Sequence, residues 1–151
     1  GSASEAFKAI AEHEASFVSR GDDSGTHKKE GTLWRGLNII PSGRWYRPVG
    51  AGMGAALNTA SAMNAYIFAD RASWLKFGNK KHLKLLFSGD PVLFNQYAFL
   101  PVSVDKHGHV NAATAARLET WLAGARAKAL IDSYRLNGER LFTHNARSPA
   151  N

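Results

Sequence analysis

Between Phe17 and Glu30 the chain reads FVSRGDDSGTHKKE: a short apolar run, a tight polar turn, and a helix that opens at Ser24-Gly25-Thr26. A helix N-terminus presents four backbone N–H groups without intrahelical partners and carries about half a positive charge, so it attracts anions. Ser24 and Thr26 add hydroxyl donors, Gly25 lets the backbone approach a ligand closely, and Arg20 adds a planar fork of charge-assisted donors. Together they suit a tetrahedral oxyanion. The competing reading is that Ser24 is only the helix N-cap and that Arg20 only pairs with Asp22 or Asp23. Acids facing a highly charged anion would oppose it, so these two are expected to orient Arg20 or to hold the turn.

A second stretch, Gly50-Ala51-Gly52-Met53-Gly54-Ala55, matches the G-x-G-x-x-A form of the dinucleotide fingerprint, and Asp70 follows at about the spacing of the ribose-binding acid. The preceding residues 44–49, interrupted by Pro48, are too short for the central strand that fingerprint requires. A nucleotide site, a second anion-facing helix N-terminus and a purely structural turn all remain open here. His107-Gly108-His109 lacks companion carboxylates and helical i, i+4 spacing, so it reads as a solvated loop and not as a metal site. No G-x-S-x-G nucleophile elbow is present, and neither an enzyme nor a cofactor is expected.

These residues must be positioned by a modest frame. At 151 residues the chain is long enough for one domain, or for one lobe of a larger protein. The absence of Cys excludes disulfide frameworks, thiol catalysis and thiolate metal sites. No apolar run approaches the roughly 20 residues of a membrane span. Gly1-Ser2 reads as a cleavage scar, with a signal peptide or a preceding segment removed. The formal charge of +7 calls for an anionic partner: nucleic acid, a membrane surface or a small oxyanion.

Helical patterns alternate with short apolar runs, the signature of an α/β fold. Helices are expected over residues 4–14 (with a Ser cap), 24–34, from the glycine-rich turn at 50–54 to about Met63, over 71–77 behind an Asp70 cap, from Asn111 to Leu122, and over 124–136 with Leu130, Ile131 and Tyr134 inward. Strands are expected over 15–19, 65–69, 82–87 and 97–104, the last an edge or bent strand because of Pro101. Residues 36–48 read as a surface loop.

At these same residues the chain resembles the tungstate-binding proteins of ABC importers, a branch of the type II, Venus-flytrap class of extracytoplasmic binding proteins. The likeness is carried by FVSRGDDSGTHKKE, by GAGMGAALNTASAMNAYIFADRASWLKF at 50–77, by GDPVLFNQY at 89–97, and by the terminal helix pattern over 111–142. The resemblance implies a three-layer lobe with a mixed sheet flanked by helices. It also implies a receptor, extracytoplasmic or periplasmic, that captures tungstate or molybdate and delivers it to a membrane permease. The family's anion contacts map onto Arg20, Ser24, Gly25 and Thr26, with Ser19 adjacent; Gly52, Met53 and Gly54 are candidates for further N–H groups, and Arg71 for a supporting role. A fully deprotonated dianion accepts hydrogen bonds only, so its pocket should consist of donors.

Family members begin with another lobe, including a Thr/Ser-rich strand end, and nothing in residues 1–14 resembles it. The resemblance therefore implies a fragment: residues 1–96 as the second lobe, residues 97–151 as the returning strand and C-terminal helices, and the first lobe missing. Exposed apolar interface in such a fragment would favour homodimerisation or weak anion binding. The alternatives are a basic nucleic-acid-binding module and a dinucleotide- or phosphate-dependent enzyme using residues 50–55.

Overall fold

A computed structural model of the chain describes residues 1–146. Residues 147–151 of the segment expected from 97 onward lie outside the described residues. The chain forms two compact units, Gly1–Asn95 and a second from Gln96 onward.

In the first unit α1 (Ala3–Glu12) leads into β1 (Phe17–Ser19), α2 (Gly25–Gly36), β2 (Tyr46–Pro48), α3 (Met53–Met63), β3 (Tyr66–Ile67) and α4 (Arg71–Lys76), with a 3-10 turn at Pro91–Leu93. The three strands form one parallel sheet in the order β2-β1-β3. The connection through α2 thus runs to one side of β1, and the connection through α3 returns across β1 to the other. A crevice at the carboxyl ends of the strands, where two such connections diverge, is where open α/β sheets take ligands.

Side-chain alternation along β1 explains the layering. Phe17 packs with Phe7 of α1 and with Leu33 and Trp34 of α2, whereas Val18 packs with Ala56 and Ala60 of α3 and with Ala65. The Trp34 ring lies 4.5 Å from that of Phe7 and meets Phe17 edge-on at 5.5 Å. The small residues of α3 let that helix sit close on the sheet. All three β1 residues are buried, as a strand covered on both faces requires.

The α/β class and the three layers agree with the sequence, and several details differ. The main sheet is wholly parallel; the antiparallel pairing belongs to a separate two-stranded hairpin in the second unit. Helix α1 starts at Ala3 because Ser2, not Ser4, is its cap: Ser2 Oγ accepts from Glu5 N–H at 3.1 Å and Glu5 Oε2 accepts from Ser2 N–H at 2.6 Å. That reciprocal box selects the serine three residues before a glutamate. Strand β2 lies within the expected 36–48 loop, and the strands expected over 15–19 and 65–69 shorten to β1 and β3. Residues 82–87 and 97–104 are not strands, and Leu86, Tyr97 and Leu100 are exposed. β-Branched and aromatic composition marks compatibility with a sheet; pairing decides whether a strand forms.

In the second unit α5 (Ala112–Ala123) is capped by Asn111, whose Oδ1 accepts from Thr114 N–H at 2.9 Å. Helix α6 (Ala125–Ser133) follows, with Ala127 buried, and then β4 (Arg135–Leu136) and β5 (Glu139–Arg140) pair antiparallel. The helix expected to reach Leu136 stops at Ser133, and Leu130 and Tyr134 are exposed, not inward. Asn137 (φ 52°) and Gly138 (φ 82°) make the two-residue left-handed turn that favours a hairpin here.

One glycine of the first unit is required twice over. Gly21 has φ +61°, and a Cβ there would lie 2.8 Å from Pro48 Cβ, whereas a Cβ at the helical Gly36 would meet nothing within 4 Å. Urea unfolding should therefore show Gly21→Ala destabilised by about 1–3 kcal/mol and Gly36→Ala unchanged or stabilised by up to about 1 kcal/mol. Equal effects at the two positions would contradict this account.

Candidate functional site

Strand β1 ends at Ser19, and the chain turns through Arg20–Gly21–Asp22–Asp23 to enter α2 at Ser24. Both contacts named by the competing reading of this motif are present. Ser24 is the N-cap, its Oγ accepting from His27 N–H at 3.3 Å. Arg20 pairs with Asp22: Nε donates to Oδ2 at 3.1 Å, and a second guanidinium N–H donates to the same oxygen. The other oxygen, Asp22 Oδ1, accepts from Ser24 N–H at 3.3 Å. Hydrogen bonding from Ser24 first, and from Arg20 as well, holds the Asp22 carboxyl down at about 2. It is therefore ionised near neutral pH, and it steers the guanidinium while bracing the turn.

Neither contact consumes the remaining donors. The first backbone bond of α2 runs from Lys28 N–H to Ser24 O at 2.8 Å, so the N–H groups of Gly25 and Thr26 precede the first closed turn. Gly25 is exposed, and a Cβ there would meet nothing within 4 Å. Arg20 keeps about a fifth of its side chain open to solvent.

The second glycine-rich stretch lies alongside. Val49 N–H donates to Ser19 O at 3.0 Å and Ala51 N–H donates to Arg20 O at 3.2 Å, so the loop leaving β2 is stitched to the loop leaving β1. Helix α3 then opens at Gly52, an extended N-cap residue with no side-chain cap bond, and its first backbone bond is Ala56 N–H to Gly52 O at 3.1 Å. Gly52 and Gly54 are exposed with open space where a Cβ would stand, but Met53 is buried in the core, so only its backbone can face a ligand. A strand does precede this fingerprint, yet β2 is an edge strand and not the central one. Asp70 caps α4 by accepting from Ser73 N–H at 2.8 Å. Arg71 opens α4, beyond β3, and is exposed.

Ser19 has a different part from the one the sequence suggested. It is fully buried, its hydroxyl donates to Glu30 Oε2 at 2.8 Å, and its oxygen accepts from Gly21 N–H at 3.3 Å. A ligand contact from that hydroxyl is replaced by support of the turn.

Glu30 and Tyr46 escaped the sequence reading. Glu30 is 1% exposed, and besides Ser19 it accepts from Tyr46 Oη at 2.8 Å and from Trp34 Nε1 at 3.2 Å. Burial pushes the Glu30 carboxyl up, and burial likewise pushes the Tyr46 phenol up to about 12. The signal was present: Glu30, Leu33 and Trp34 stand at i, i+3 and i+4 on α2, so an acid occupies the core-facing stripe. His107 and His109 face each other across 6.1 Å, and no group of three or more His, Cys, Asp or Glu suited to a metal ion occurs among the described residues.

Residues 1–126, which include the parallel sheet and both glycine-rich turns, match a family model described as a PBP superfamily domain. The chain belongs to that superfamily, the periplasmic-binding-protein fold. The tungstate-binding protein TupA of Peptoclostridium acidaminophilum is 43% identical over 143 residues, 93% of this chain and 50% of that protein. Among solved structures, the tungstate-binding protein TupA from Desulfovibrio alaskensis G20 matches with a TM-score of 0.80 at 34% identity, over 97% of this chain and 61% of its own. The tungstate ABC transporter structure from Geobacter sulfurreducens matches with a TM-score of 0.72 at 37% identity, over 88% of this chain and 56% of its own. The chain spans about half the length of the curated relatives it matches.

The Asp22 carboxyl, lowered from 3.8 to about 2, contributes stability that is present above its ordinary value and lost as pH falls through about 2. Asp22→Asn removes that component. Denaturant midpoints measured down through this window should fall less steeply for the variant than for the wild type, and parallel slopes would show that the contact carries no linkage.

Proposed function

We propose that the chain is the anion-holding part of a solute receptor that captures a tetrahedral oxyanion, tungstate or molybdate, outside the cytoplasm and hands it to an ABC permease. The observation that carries the reading is the junction of two helix N-termini beside Arg20, tied by the bond from Ala51 N–H to the Arg20 carbonyl at 3.2 Å. Thr26 Oγ1, the N–H groups of Gly25 and Thr26, those opening α3 at Gly52, Met53 and Gly54, and the unengaged N–H groups of Arg20 form a set of donors. A fully deprotonated dianion, which only accepts, is the ligand such a set fits.

Asp22 bears on the same point. Asp22 Oδ2 accepts twice from Arg20 and Oδ1 accepts from Ser24, so most of its accepting capacity is spent inside the turn. The compact unit Gly1–Asn95 contains all of these donors, which supports assigning residues 1–96 to a single anion-facing lobe and 97–151 to a segment with another task. The names of the relatives support tungstate as the ligand. Tungstate and molybdate share charge and nearly share size, so donor placement sets the choice between them. In this reading the protein binds and releases, and it catalyses nothing.

Titration calorimetry on the natural-length protein tests the reading. Arg20→Ala and Thr26→Ala should each weaken tungstate binding roughly tenfold or more, the loss expected for hydrogen bonds to a charged group, with circular dichroism unchanged. No heat from the wild type with tungstate, molybdate, sulfate or phosphate would sink it.

A further inference from the structure

The buried carboxylate behind the turn has no place in anion contact, and its connections are unusual. Glu30 lies on α2, the helix whose N-terminus carries Ser24, Gly25 and Thr26. Its Oε2 takes the Ser19 hydroxyl from the end of β1, and its Oε1 takes the Tyr46 hydroxyl from the start of β2. One side chain therefore touches all three elements that deliver the candidate donors: the helix itself, the strand that runs into Arg20, and the strand that runs into Gly52.

The route through Ser19 reaches the site directly. With its hydrogen engaged by Glu30, the Ser19 oxygen accepts from Gly21 N–H at 3.3 Å. The carbonyl of the same peptide, that of Arg20, accepts from Ala51 N–H at 3.2 Å. The Arg20–Gly21 peptide is thus pinned at both ends, and its plane sets the left-handed Gly21 and the direction in which the Arg20 side chain leaves the backbone. All three donors to Glu30 are neutral groups: a serine hydroxyl, a tyrosine hydroxyl and an indole N–H. Burying a carboxylate among neutral donors costs stability relative to a well-packed apolar side chain of the same volume. Packing alone does not account for it.

We propose that Glu30 is a positioning residue of the oxyanion site: its carboxylate holds the Ser19 hydroxyl so that Ser19 fixes the Arg20–Gly21 peptide, and it clamps β2 against α2 through Tyr46. The proposal rests on the receptor reading for its ligand, while the Glu30–Ser19–Gly21 chain stands without one. In Glu30→Gln the amide either turns its N–H2 to Ser19, reversing that bond so that the hydroxyl must accept from both the new amide and Gly21, or turns it to Tyr46 and Trp34, where it opposes the indole N–H. Ser19→Ala cuts the link to Gly21 while leaving Glu30 bonded to Tyr46 and Trp34.

The test is a double-mutant cycle in the natural-length protein, read two ways. Without ligand, amide exchange by NMR should show Gly21 N–H exchanging roughly tenfold faster or more in Glu30→Gln, in Ser19→Ala and in the double variant, with exchange in the α5 helix unchanged. With sodium tungstate, each single variant should raise the Kd roughly three- to tenfold, and the double variant should be no worse than the weaker single, because the residues act in series. Additive losses, or unchanged Gly21 exchange in the variants, would overturn the role of Glu30 whether or not tungstate binds. A wild type that protects Gly21 but takes up no tungstate would instead overturn the receptor reading, and with it the anion-positioning role. Should Glu30→Gln fail to fold, Ser19→Ala alone decides, since Gly21 exchange and Kd equal to wild type in that variant refute the proposal.

Discussion

A single peptide unit, between Arg20 and Gly21, is held at both ends: its carbonyl by Ala51 N–H and its N–H by the Ser19 hydroxyl oxygen. Everything near the site follows from that constraint. Because β1 is the central strand, the chain leaving it at Ser19 must turn sharply to start α2, and Gly21 takes the left-handed conformation that the turn needs, against Pro48. Because β2 runs parallel to β1, its own exit loop lies next to that turn and supplies the Ala51 N–H. The loops that open α2 and α3 are thereby joined by a backbone bond, with the Ser19 hydroxyl bracing the peptide that accepts it.

The charges around this junction serve order more than attraction. The chain carries a formal +7, yet the groups in and behind the turn include three acids: Asp22, Asp23, which pairs with Lys28, and Glu30. Asp22 is ionised and engaged on both oxygens, so it aims Arg20 at the cost of part of the arginine's charge. Glu30 is buried and bonded only to neutral donors, with burial pushing its carboxyl up. The positive end that remains is supplied by backbone N–H groups, which the formal charge never counts. Backbone donors fixed at helix starts are preorganised, which is the property an anion pocket needs.

The local structure of the turn and of the two helix starts was readable because its parts are local. Ser24 as a cap, Arg20 beside two acids, and glycines opening two helices all follow from residue type and short spacing. What escaped depended on distant partners. Tyr46 and Arg47 become a strand only by pairing with β1, so a stretch punctuated by Gly43 and Pro48 looked like loop. Residues 82–87 and 97–104 erred the other way, with strand composition but no pairing. Glu30 sat in the apolar stripe of α2, a conflict visible in the sequence whose meaning needed Ser19 and Tyr46 in space. The Asn137-Gly138 hairpin and the Ser2–Glu5 capping box were local and legible, but each was overridden by a longer periodic pattern.

The central claim is spatial: an acceptor-only anion sits at the carboxyl edge of the sheet between the openings of α2 and α3. Diffraction from crystals grown with tungstate and recorded at the tungsten absorption edge measures this directly. The account predicts one strong anomalous peak whose oxygens lie within hydrogen-bond reach of Arg20 and of the Gly25 and Thr26 N–H groups. A peak elsewhere on the molecule, or no ordered tungsten in a crystal soaked to saturation, would contradict it.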